Sequence, residues 1–126
     1  MGLVASQARL LMLYDRKSTL EFQMQCLTTR LMAAAAQTTG IAQEQSNLFS
    51  QLTQGDVSDS KKDQINAQLG QLEAKMAKIT SWNKQIELMQ KNIETQHSAV
   101  QTEIESVQKV IDKNISMTFK YFNHNG

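Results

Sequence analysis

Ile65, Leu72, Ile79, Ile86, Ile93, Val100 and Val107 follow one another at intervals of seven residues, and all but Leu72 are β-branched. An apolar repeat with a 3.5-residue period marks the seam along which one long helix lies against another. The companion row reads Leu69, Met76, Asn83, Gln90, His97, Ile104 and Ile111, with three consecutive polar members. Such insertions cost stability and can fix register or oligomer state; they equally suit the edge of a wet seam. A second heptad occupies the first half of the chain: Leu13, Leu20, Leu27, Ala34, Ile41 and Leu48, beside Leu10, Lys17, Met24, Leu31, Thr38, Gln45 and Leu52. It weakens at Thr38-Thr39-Gly40, where low helix propensity favours a kink or local break near Gly40.

One segment punctuates the pattern, Thr53 to Ser60. Gly55 can take the left-handed conformation that ends a helix. Ser60 and Asp63 have the S-x-x-D spacing that opens the next one. A short connection between two amphipathic helices predicts an all-α fold, a long antiparallel two-helix coiled-coil hairpin. The expected boundaries are helix 1 at about 3–54, a turn at 55–60 and helix 2 at about 61–122, in a single helical-hairpin domain over 1–126. Folding about residues 58–59 sets Leu48 opposite Leu69, Ala34 opposite Asn83, Leu20 opposite His97 and Leu13 opposite Ile104.

Composition agrees with helix. There is no proline among 126 residues, so nothing forces an interruption. Net charge is +1, from 13 basic and 12 acidic residues. The lysines alternate with acids instead of forming a stripe, so no nucleic-acid partner is expected. Glu87 with Lys91 and Glu105 with Lys109 have the spacing of weak pairs along a helix face. The lone Cys26 rules out an internal disulfide and reads as a small, partly buried residue. No stretch approaches the roughly 20 apolar residues of a membrane span. Basic residues do not precede an apolar run at the start, so no cleaved leader is expected.

Beyond Val107 the apolar positions become Ile111, Ile115, Phe119 and Phe122, a spacing that predicts a change of phase. The end holding both termini carries more apolar residues than one stripe can bury. An assembly interface is therefore expected at Leu10, Leu11, Leu13, Tyr14, Ile111, Ile115, Phe119 and Phe122. The turn from Gly55 to Ser60 is polar and suits solvent. His97 and His124 lack the converging ligands a metal needs. Asp15 and Glu21 lack a pocket and do not read as an acid–base pair. No enzyme, cofactor or small-molecule substrate is expected. Met1-Gly2-Leu3-Val4-Ala5-Ser6 fits the short N-myristoylation pattern, which leaves open a peripheral membrane anchor.

The segment Gly2 to Glu21 resembles the opening of short bacterial helical proteins that begin Ser-Gln-Ala-Arg-Leu-Leu, a likeness that brings no function with it. Trp-x-Gly secreted hairpins fit poorly, because Trp82 lies in mid-helix and Asn83 follows it. The whole plan is similar to subunits exported through type III secretion and flagellar systems. Those are proline-poor helical hairpins with polar surfaces and apolar terminal helices that assemble into tubes. The resemblance implies a structural subunit that self-assembles into an extracellular or cell-surface bacterial filament without a cleaved signal peptide. The alternative is a cytoplasmic coiled-coil adaptor or secretion chaperone that binds one partner through the same end.

Overall fold

The structure is a computed structural model; it describes residues 2–125, and side chains as far as residue 123. Two α-helices make up the chain, α1 (Leu3–Leu52) and α2 (Asp59–Asn125). They pack against each other as an all-α helical hairpin.

The break expected at Gly40 does not form: α1 is continuous across it. Thr38 Oγ1 donates to the Ala34 carbonyl at 2.9 Å and Thr39 Oγ1 to the Ala35 carbonyl at 3.1 Å. The hydroxyls thus bond back to the preceding turn and leave the helical backbone in place. The turn also differs from expectation. Gly55 takes no left-handed conformation, since no described glycine has positive φ. Instead α1 closes with Thr53 N–H donating to the Phe49 carbonyl (3.2 Å) and Thr53 Oγ1 donating to the Ser50 carbonyl (2.8 Å). The cap of α2 is Ser58 rather than Ser60. Ser58 Oγ accepts the Lys61 N–H at 3.2 Å, and its carbonyl accepts the Lys62 N–H at 3.0 Å. The residue three positions on is Lys61, which cannot reciprocate, so half of a capping box is formed. Asp59 in the first turn complements the helix dipole.

The chain divides into two compact units. Unit 1 is Met1–Gln25 with Gln90–Gly126, and unit 2 is Cys26–Met89. In unit 1, Leu13, Leu20, Val100 and Ile104 form a buried cluster, with Leu10, Ile93 and Val107 packed on it. The spacing of three and four residues that sets this row continues past Val107 to buried Ile111 and half-buried Asn114. The packed row therefore keeps its phase. It is the apolar residues that leave it: Ile115, Phe119 and Phe122 stand beside the row and stay exposed. In unit 2, Leu27, Ile65, Leu72 and Ile86 are buried, while Leu31, Ile41, Leu48, Met76 and Ile79 are half-buried. A seam between two helices is covered from two sides only, which leaves the flanks of its side chains open.

Candidate functional site

The eight residues expected at an assembly interface separate by burial. Leu13 and Ile111 are buried within unit 1 at 3% and 8% exposure, and Leu10 is half-buried against the same core. They lie on the heptad row, so the hairpin already uses them. Leu11 (72%), Tyr14, Ile115 (50%), Phe119 (67%) and Phe122 lie off that row and are exposed. Of the expected seam, Ile65, Leu72, Ile86 and Val100 are buried, and Ile79, Ile93 and Val107 are half-buried.

Other exposed apolar side chains join them in unit 1. Val4, Met12 and Phe22 project from α1, and Met117 and Tyr121 from α2. The rings of Tyr121 and Phe122 meet edge to face, with centroids 6.0 Å apart. Phe22 carries no apolar neighbour in sequence that would mark it as part of the terminal cluster. Only its place on the helix face groups it with Val4 and Leu11.

Polar contacts between the helices of unit 1 lie along the edges of the packed row. Arg9 Nη2 donates to Glu103 Oε2 at 2.8 Å, and Arg16 Nη2 to Gln96 Oε1 at 3.2 Å. His97 Nε2 lies 3.1 Å from Glu21 Oε1. Among the described residues these are the links that use charge; the pairs expected at Glu87–Lys91 and Glu105–Lys109 are not formed. All four of those side chains are exposed, where hydration competes with so weak an attraction. Lys17 occupies a half-buried place in the row, which its methylene stem can fill while the ammonium reaches water.

Unit 2 presents an open groove of about 480 Å³ on one flank of its seam. Ala33, Ala34, Ile79 and Ile86 form much of its lining, and Trp82, Met89 and Arg30 line it as well. Trp82 is 64% exposed, so it projects beside the groove instead of filling it. Asn83 also lines this groove, and its Oδ1 is buried with no hydrogen-bond partner among the described residues. An acceptor in that state carries a desolvation cost of about 1–3 kcal/mol. Gln90, the next polar member of the row, is half-buried in unit 1.

Cys26 is exposed, contrary to the partly buried place expected for it. It precedes buried Leu27, and one step along a helix turns a side chain by about 100° off the seam. Gly2 is exposed and Ser6 is buried at the start of α1, while Met1 of the acylation pattern lies outside the described residues. The side chain of His124 also lies outside them. Among the described residues no group of His, Cys, Asp and Glu is placed to hold a metal ion, and no helix is long and apolar enough to cross a membrane. Comparison with protein families, with curated proteins and with solved structures finds no match to this chain.

Proposed function

We propose that this chain is a structural subunit that assembles with copies of itself, through the apolar surface of unit 1, into an extracellular bacterial filament or tube. The observation that carries this reading is the amount and distribution of open apolar surface. Val4, Leu11, Met12, Phe22, Ile115, Met117, Phe119, Tyr121 and Phe122 are each at least half exposed. At roughly 100 Å² apiece they leave on the order of 900 Å² open in all. That is close to the ~800 Å² each partner contributes to a stable interface.

These side chains occupy several faces of the two helices. A chain that binds one partner needs one face, whereas a filament subunit is surrounded. Contacts that use two different surfaces of the same molecule propagate into open polymers wherever the rotation from one copy to the next does not close a ring. The likeness of the hairpin plan to exported filament subunits supplies the bacterial and extracellular part of the reading.

Purified full-length chain, examined by sedimentation velocity and negative-stain microscopy over a range of concentrations, tests it. Concentration-dependent growth of elongated polymers is expected. A monomer or dimer whose size does not change with concentration would overturn the proposal. Co-purification from cytoplasm in a fixed ratio with one other protein would favour the adaptor instead.

A further inference from the structure

We propose that the unit 2 groove receives the outer face of α1 from the next copy, with Asp15 of that copy paired to Arg30. This rests on the self-assembly reading and names one of its contacts.

The groove sets the requirement. Its lining combines apolar residues with the neutral amides of Gln37, Asn83 and Gln85, and Arg30 is the one charged residue among its described lining. Arg30 belongs to the same heptad row as Arg9 and Arg16, both of which reach acceptors on α2 within unit 1. In unit 2 the α2 residues lining the groove with Arg30 include Trp82 and Met89, which offer no carboxylate. Among the described residues Arg30 forms no ion pair. An occupant must therefore bring an apolar ridge and an acid on the same face.

Few exposed apolar segments of this chain meet that requirement. Leu88 has Lys84 four residues before it and Lys91 three after, charges that would repel Arg30. The segment from Met117 to Phe122 is accompanied by Lys113 and Lys120. Around Phe49 the positions three and four away are Gln45, Ser46, Leu52 and Thr53, with no acid. On α1 of unit 1, Val4, Ala8, Leu11, Asp15, Ser18 and Phe22 follow at alternating steps of four and three, and all are exposed. They form one continuous stripe on a single helix face. Its one charge is Asp15, which forms no ion pair among the described residues.

The lengths agree as well. Leu11 to Phe22 spans about 16 Å at ~1.5 Å per residue, and the groove residues Ile79 to Met89 span about 15 Å. Leu11 and Phe22 can seat toward the two ends of the groove with Asp15 between them. Ala33 and Ala34 leave room for a third helix to approach. Groove and stripe belong to different units, so each copy offers one of each and can engage one neighbour through its groove and another through its stripe.

The test uses full-length Asp15→Arg and Arg30→Asp, followed by light scattering and sedimentation velocity, with circular dichroism as the control for folding. Both side chains are exposed, so helicity should be unchanged. Each variant alone places like charges together and should raise the concentration for half-assembly by at least about tenfold. An equimolar mixture of the two restores opposite charges at every junction and should regain assembly. Single variants that assemble as the wild type does would overturn the docking. So would a mixture no more competent than its components. If the wild-type chain does not associate at all, the self-assembly reading fails first. If it associates, and Phe119→Asp disperses it while Arg30→Asp does not, the docking alone fails.

Discussion

Replacing Phe119 with Asp separates assembly from folding. Phe119 is 67% exposed, so the hairpin itself buries little of it. A buried aromatic covers about 150–250 Å², which leaves on the order of 130 Å² of this ring open to water in the isolated chain. Removing that area from water contributes about 3 kcal/mol at ~25 cal/mol per Å². Its loss corresponds to roughly 200-fold in a dissociation constant for each contact that encloses the ring. The carboxylate adds a desolvation cost in the same direction. The stability of the isolated chain should change by less than about 0.5 kcal/mol, as for other surface sites. Sedimentation velocity reads the first effect, and thermal unfolding by circular dichroism under non-assembling conditions reads the second. Assembly unchanged to within a factor of two would refute the assignment of this ring to an interface. A large drop in melting temperature would show that the ring supports the hairpin instead.

Ile104, at 3% exposure in the unit 1 cluster, should behave in the opposite way. Ile104→Ala is expected to cost about 2–5 kcal/mol in urea unfolding, and a loss below ~1 kcal/mol would contradict the packing described for unit 1. Asn83→Leu removes the partnerless buried Oδ1 and should raise stability by about 1 kcal/mol, visible as a higher melting temperature. A fall would show that the amide is satisfied, for instance by bound water. Ser58→Ala should cost about 0.5–2 kcal/mol by removing the cap of α2. The same change at Ser60 should have little effect, and denaturant titration of the two variants side by side checks the order.

Much of the fold is legible from spacing alone. The interval of seven from Ile65 to Val107, the absence of proline and one polar turn are local facts, and they suffice for two long helices that fold back on each other. They suffice because the period of a helix is fixed by its backbone, whatever packs against it. The finer features are settled by competition, which spacing does not express. Ser58 and Ser60 are both good caps, and the choice between them depends on where the chain leaves the turn. Thr38 and Thr39 lower helix propensity, yet their hydroxyls bond to the preceding turn and α1 continues.

The site shows the same division. The sequence by itself determined that the terminal region holds more apolar residues than one seam can cover. Which of them remain open was decided only in the tertiary structure, because a packed row follows helix geometry and not residue identity. That row continues through Ile111 to Asn114, so it encloses Leu13 and Ile111 and passes Ile115, Phe119 and Phe122 by. The register between α1 and α2 likewise gives Arg9 a carboxylate and puts apolar Trp82 and Met89 beside the groove that Arg30 lines. Three arginines in one heptad row are equivalent as sequence, and they differ only through what the facing helix brings alongside.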